Sequence, residues 1–152
     1  MLLLRKRRIC DMDYRKIDET HIIARLDKGE EIVETLKVIA QKEHINLAMI
    51  QGLGAVCEIV VGVFDVTAKK YKANQFTGSF EIVSLTGTID SMRGNYYSHF
   101  HISVGDELGH VFGGHLNRAV ISATGEVIIT LIKGRIDRKY SEAVGLNLLE
   151  FA

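Results

Sequence analysis

Apolar residues along this chain mostly recur with the two-residue period of β-strands, and only one segment has the helical period. Alternating or continuous apolar runs predict strands over residues 12–16, 21–26, 45–51, 57–65, 80–90, 96–104, 118–122, 125–133 and 146–151. Between residues 27 and 42 the apolar positions fall instead on one face of a helix. Many strands and one amphipathic helix predict an α+β domain, with a mixed or mostly antiparallel sheet and the helix packed on it.

The predicted helix has a start signal in the chain. Asp27 is placed as its N-cap, and Glu30 follows three residues later as in a capping box. Ile32, Leu36 and Ile39 then define the face that packs on the sheet.

The segment Gly52-Leu53-Gly54 separates two predicted strands and is interpreted as a tight turn. It lacks the third glycine of a dinucleotide-binding fingerprint, because Cys57 stands at that position and a strand follows. Cys57 is predicted to be a small core residue. Cys10 and Cys57 form no CxxC motif, which favours reduced thiols and a cytoplasmic location.

Composition indicates one domain without an overall attraction to nucleic acid. The chain has 152 residues, of which 47% are hydrophobic, and its 19 basic and 19 acidic residues give a formal net charge of zero. The dense basic run Arg5 to Arg8 predicts a flexible basic tail over residues 1–11, followed by a single domain over 12–152. No uncharged run reaches the roughly 18 residues of a membrane helix.

Four of the six histidines lie between Ser98 and Leu116. Strand alternation places His99 and His101 on one face, and Phe100, Ile102 and Val104 on the opposite, core-facing side. Two such histidines have Cα atoms about 6.6–6.8 Å apart, so both imidazoles can reach one ion at about 2.0–2.1 Å. His-x-His is therefore interpreted as half of a zinc site.

A hairpin loop at 105–109 would bring a third ligand back beside this pair, either His110 or His115. These two residues are five apart, so a regular strand points them to opposite faces. If Ser103 pairs with His110, then His110 lies on the face of His99 and His101, whereas a bulge at Gly113-Gly114 would place His115 there. The alternation of strand faces alone does not decide between these two histidines. Glu81 lies among apolar residues and is either an acid-base group or part of an exposed strand face.

Two motifs together resemble a known family. Phe80-Glu81-Ile82-Val83-Ser84-Leu85-Thr86-Gly87-Thr88-Ile89 is followed by His99-Phe100-His101 and then by Gly113-Gly114-His115-Leu116. This order resembles the PPC domain family (plant and prokaryote conserved domain, DUF296), whose bacterial members carry names such as "DNA-binding protein with PD1-like motif". The resemblance implies a small α/β fold, a homotrimer and, in some prokaryotic relatives, a metal held by His99, His101 and His115. His110 and Glu81 are then either alternative ligands or residues that hydrogen-bond to the ligands.

Three classes of function follow. The first is a homotrimeric binding module whose three histidines hold zinc and leave one position for water or a small-molecule ligand. The second is DNA binding or a transcription-associated role, as the family names imply. Plant relatives contact the DNA minor groove through a separate Arg-Gly-Arg motif, and this chain lacks that motif. The third is a metal-dependent hydrolase of a small substrate, with Glu81, Asp106 or Glu107 as proton shuttle.

Overall fold

The computed structural model describes residues 13–151. Its elements are β1 Asp13–Lys16, β2 His21–Asp27, α1 Ile32–Lys42, β3 Ala48–Asp65, β4 Lys70–Met92, β5 Asn95–Gly105, β6 Val111–Leu131, β7 Asp137–Ser141 and β8 Leu146–Glu150. The basic tail predicted over 1–11 lies outside the described residues, as do residues 12 and 152. Within this described range no helix has the length and hydropathy needed to cross a membrane.

Six strands form one sheet in the order β1-β2-β6-β3-β4-β5, and β5 also pairs with β6. The second pairing closes the β6-β3-β4-β5 part of the sheet on itself. Every strand pairing between residues 13 and 151 is antiparallel. This arrangement suits the short hairpin connections, because parallel neighbours need long crossovers. The predicted sheet with one packed helix is therefore present as a mostly antiparallel sheet with one short helix.

The interior of the closed sheet is built by strand alternation. Phe100, Ile102 and Val104 of β5 are buried, which confirms the core face predicted for this strand. Burial of each such side chain stabilises the fold by about 1.5–3 kcal/mol. The core of the domain also buries Ile50, Ile59, Leu85, Ile89, Ile121 and Ile129 of β3, β4 and β6, together with Ile22 and Leu26 of β2. Because Phe100 and Ile102 point inward, the residues between and beside them point outward.

The helix begins later than predicted. Asp27 ends β2, and Glu31 is the N-cap, where its carboxylate accepts two backbone N–H groups of the first helical turn. The Glu30 carboxylate accepts the Asp27 N–H at 2.6 Å. The predicted capping-box pair Asp27 and Glu30 therefore closes the turn that precedes the helix. Glu31 also accepts the Ala119 N–H of β6 at 2.8 Å. This long-range contact selects Glu31 as the cap, which is why the local pattern at Asp27 was misleading.

The glycine segment at 52–54 is not a turn, and that prediction is wrong. β3 continues through it with a register shift between Gly52 and Gly54. Gly54 has φ +142°, and a Cβ there would overlap the backbone at Thr124 of β6. The glycines therefore permit a bulge and a close approach of two strands. The predicted strands at 118–122 and 125–133 are likewise joined in one strand, β6, which ends at Leu131.

Cys57 is exposed, so its predicted place in the core is wrong. In the pairings of β3 with β4 and with β6, Val56 and Glu58 have partners, whereas Cys57 between them has none. A bulge residue loses the alternation of its strand, and this turns the thiol outward. Its sulfur lies 3.8 Å from the Val120 carbonyl oxygen.

The C-terminal segment forms a second, two-stranded sheet of β7 and β8. The strand predicted over 146–151 is present as β8. β7 was not predicted, because its sequence Asp137–Ser141 is polar and resembles a tail. Arg138 from β7 is buried at 7% exposure and reaches the end of β4, so this hairpin is docked on the larger sheet.

Candidate metal centre

The hairpin between β5 and β6 sets which histidines meet. Asp106 organises the loop, since its carboxylate accepts the N–H groups of Leu108 and His110, each at 2.9 Å. Pairing then starts with Gly105 opposite Val111 and runs without a shift to His101 opposite His115. The loop length therefore places His115 on the histidine face, and no bulge in the β5–β6 pairing is required.

His99, His101 and His115 come together on the outer face of the sheet. Ring centroids are 5.0 Å apart for His99 and His101, 5.1 Å for His99 and His115, and 5.7 Å for His101 and His115. The Nε2 atoms of His99 and His101 are 3.2 Å apart. One potential ligand nitrogen from each ring lies within 4.8 Å of the others. Tetrahedral zinc with nitrogens at about 2.0–2.1 Å needs nitrogen separations of about 3.3 Å, so this donor set fits such an ion after small side-chain movements.

The environment of His99 and His115 favours the neutral form of both rings. Burial lowers the pKa of His99 below its ordinary 6.5, and the adjacent His115, His101 and Arg138 lower it further. Burial also lowers the pKa of His115, with His101 as the second cause. Metal ions bind the unprotonated nitrogen of imidazole, so a lowered pKa keeps the ligand form populated at neutral pH.

The other two candidate residues lie elsewhere. His110 is exposed in the hairpin loop, where its Nδ1 is 3.2 Å from the Asp106 carboxylate. Glu81 is exposed on β4 opposite Gly105, four positions along β5 from His101. Within residues 13–151 the group of convergent metal-type ligands contains the three histidines and no carboxylate.

A buried ion pair lies beside the histidines and was not predicted from the sequence. Arg138 donates from Nε and Nη2 to the two oxygens of Asp90, at 2.7 and 2.8 Å. Thr88, which is opposite His99 in the β4–β5 register, donates to Asp90 at 3.0 Å. The Arg138 guanidinium also stacks 4.7 Å from the centre of the Tyr97 ring. The acidic residue Asp90 at the end of an apolar strand was a sequence signal for a buried ion pair. Its partner Arg138 is 48 residues away, so the sequence pattern did not identify the pair.

On the other side, Tyr71 borders His115. The two rings meet edge to face with centroids 5.9 Å apart. The Tyr71 hydroxyl donates to the Asn117 side-chain oxygen, and its ring occupies the space over Gly62, where a Cβ would overlap it. Burial raises the pKa of Tyr71. No local sequence signal points to Tyr71, because its place depends on the pairing of β3 with both β4 and β6.

Fold and site together define a small antiparallel barrel-like domain with a three-histidine cluster on its outer face. The family profile of the Plants and Prokaryotes Conserved (PCC) domain matches residues 12–133. The chain belongs to this family, the one written PPC above, and the resemblance recognised from the two sequence motifs is confirmed. No curated protein sequence matches the chain significantly.

Solved structures from bacteria and archaea share the fold. A "putative DNA-binding protein" from Bacteroides thetaiotaomicron is 33% identical, with a TM-score of 0.89 over 92% of this chain and 97% of that one. A plant- and prokaryote-conserved protein from Pyrococcus horikoshii is 31% identical, with a TM-score of 0.79 over 93% and 95% of the two chains. A metal-containing protein from Archaeoglobus fulgidus is 27% identical, with a TM-score of 0.80 over 95% and 99%.

Proposed function

We propose that this chain is a binding module that holds one divalent metal ion, with zinc as the first choice, through His99, His101 and His115. The observation that carries the proposal is the convergence of three imidazoles with their nitrogens within 4.8 Å. The archaeal relative that contains a metal supports it. Imidazole suits zinc and several other divalent ions, and three protein ligands leave a position for water or a small molecule.

Metal analysis of protein purified without chelator tests this proposal. We expect close to one metal ion per chain in the wild type, and loss of most of it in His99→Ala, His101→Ala and His115→Ala. His110→Ala is the matched control, because His110 lies in the same hairpin but contacts Asp106 instead of the cluster. Metal-free wild-type protein, or equal loss in the control, would contradict the proposal.

We further propose that the module works as a homotrimer. Apolar side chains that the core does not use are exposed near the ends of the β3–β4 and β5–β6 hairpins, among them Val63, Val66, Leu108 and Val111. Large exposed apolar areas are typical of protein interfaces. The number of subunits, three, is what the family resemblance implies.

DNA binding is the second candidate function, and its support is the "putative DNA-binding" description of two relatives, from Bacteroides and from Ralstonia eutropha. Because the net charge of the chain is zero, contact with DNA phosphates requires a local basic patch. The dense basic run Arg5 to Arg8 is the candidate for this patch. We expect duplex DNA affinity to fall steeply between 50 and 200 mM salt, by about 10³-fold if about six phosphates are contacted. Replacing the four basic residues at 5–8 with alanine would reduce that slope. No binding at low salt would eliminate this function.

Hydrolysis is less well supported by the geometry. Asp106 accepts a hydrogen bond from the His110 backbone and contacts its ring, and Glu81 is four strand positions from His101. Glu107 is exposed in the loop between β5 and β6, and none of these three carboxylates belongs to the histidine cluster formed within residues 13–151. A metal-bound water there would lack the positioned proton acceptor that hydrolysis requires.

A further inference from the structure

A cavity of about 230 Å³ opens on the outer face beside His101. Three hydroxyl side chains line it: Ser84, Thr86 and Ser103. The β4–β5 register explains their convergence, because Thr86 is opposite His101 and Ser84 is opposite Ser103. Gly114 lines the cavity from β6, where a Cβ would overlap the Gly62 carbonyl oxygen of β3.

The three cavity hydroxyls are free to bind a ligand. Two other hydroxyls of β4 are used inside the protein, since Thr88 donates to Asp90 and Ser91 donates to the Ile136 carbonyl oxygen. In the part of the chain from 13 to 151, the Ser84, Thr86 and Ser103 hydroxyls make no hydrogen bond to another protein group. Each hydroxyl can donate one hydrogen bond and accept two.

Size and charge restrict what this cavity accepts. The cavity is open to solvent on the outer face, so its volume of about 230 Å³ limits only the part of a ligand that it can enclose, to a few atoms. Among the described residues 13–151, no charged side chain lines it, which disfavours a polyphosphate, because such a ligand is usually held by Arg or Lys. Three neutral imidazoles leave the charge of a divalent ion uncompensated, so an anionic oxygen is favoured beside His101.

We infer that this cavity binds a small hydroxycarboxylate, with the carboxylate toward the metal position and the hydroxyl-lined wall contacting its remaining oxygens. The inference rests on the proposed metal-binding function and adds a ligand class to it. Thr86 and Ser103 are then determinants of ligand affinity, while the histidines remain determinants of metal affinity.

Calorimetric titration with L-lactate tests this, with metal content measured on every sample. We expect millimolar or tighter binding to the metal-loaded wild type, and binding weakened about tenfold in Thr86→Val and Ser103→Ala with unchanged metal content. A hydroxyl that donates to a charged group contributes enough for such a change. Thr77→Val is the matched control, since Thr77 is an exposed threonine of β4 outside the cavity, and it should bind lactate as the wild type does.

1,2-Propanediol, which has the same carbon skeleton without the carboxylate, should bind at least tenfold more weakly. Metal retention without lactate binding would overturn this inference alone, as would equal affinity for the diol or unchanged affinity in both cavity variants. Wild-type protein without metal would overturn the proposed function and this inference together.

Discussion

At Gly87 the sheet has room for a hydrogen atom only. The residue lies on β4 opposite Phe100 of β5. A Cβ there would overlap the His99 carbonyl oxygen and lie 2.8 Å from the Phe100 ring. Because the overlap involves backbone between two paired strands, it cannot be relieved by rotation of a side chain.

We expect Gly87→Ala to lower the free energy of unfolding by about 1–3 kcal/mol, as overpacking of a core does. Gly105→Ala on β5 is the control, because its Cβ would meet only the Val83 side chain at an ordinary 3.6 Å. Urea denaturation of both variants measures the difference. Similar stabilities for the two variants would show that the strands separate more easily than this packing indicates.

The lowered pKa values of His99 and His115 make the stability of the metal-free protein depend on pH. Both pKa values are below 6.5 in the folded protein, mainly because burial disfavours the charged ring. Between 6.5 and these lowered values the unfolded chain therefore binds more protons than the folded protein. The free energy of unfolding accordingly falls as the pH falls through this window.

We expect the double variant His99→Gln/His115→Gln to have a weaker pH dependence of stability than the wild type between pH 7.5 and 5.5. Chelator-treated samples and urea denaturation at several pH values provide the comparison. The difference between the two proteins isolates these histidines from the other titrating groups. Parallel curves, or a wild type that gains relative stability on acidification, would contradict the assigned direction.

At the scale of elements, a buried ion pair joins the β7–β8 hairpin to the larger sheet. Arg138 and Asp90 have side-chain exposures of 6% and 0%, and their two-point contact joins β7 to β4. Arg138 also donates to the Asn147 carbonyl oxygen of β8. The guanidinium thus holds both strands of the hairpin against the sheet, next to His99. Removal of one partner of a buried pair leaves an uncompensated charge.

We expect Arg138→Met to lower the free energy of unfolding by about 3–5 kcal/mol. The double variant Asp90→Asn/Arg138→Met should lose less than the two single variants added together, because it leaves no buried carboxylate. Lys139→Met is the control on the same strand, since Lys139 and its ion-pair partner Glu150 are both exposed, and its effect should stay within about 1 kcal/mol. Equal effects of the Arg138 and Lys139 variants would show that the hairpin docks by other contacts.

At the scale of the whole molecule, the proposed trimer accounts for apolar surface that the single chain leaves exposed. Leu108 is 80% exposed and Val111 is 57% exposed at the end of the hairpin that carries His115. Assembly through this end would bring subunit boundaries close to the histidine face.

We expect light scattering to give a mass three times the 17.0 kDa of the chain. Leu108→Glu/Val111→Glu should shift the protein toward the monomer, because the charges would be buried in the interface. Ile17→Glu is the control, since Ile17 is equally apolar and 58% exposed but follows β1, at the other edge of the sheet. A monomeric wild type would contradict the trimer, and an unaffected double variant would exclude this surface.

Local patterns in the sequence determined the parts that depend on neighbours in the chain. The two-residue alternation put Phe100 and Ile102 inside and His99 and His101 on the opposite face, because strand geometry imposes that period. Helical spacing likewise identified the buried face of α1. The order of the two motifs was enough to recognise the family.

Only the tertiary structure decided what depends on pairing between distant segments. Strand parity left His110 and His115 open and only the family resemblance favoured His115, whereas the hairpin register places His115 beside His101. The predicted turn at Gly52 and Gly54 is instead a bulge in β3, because this strand is paired on both sides. Contact with Ala119 moved the helix cap from Asp27 to Glu31. Register and long-range contacts are set by the packing energy of the whole sheet, and no window of sequence contains that energy.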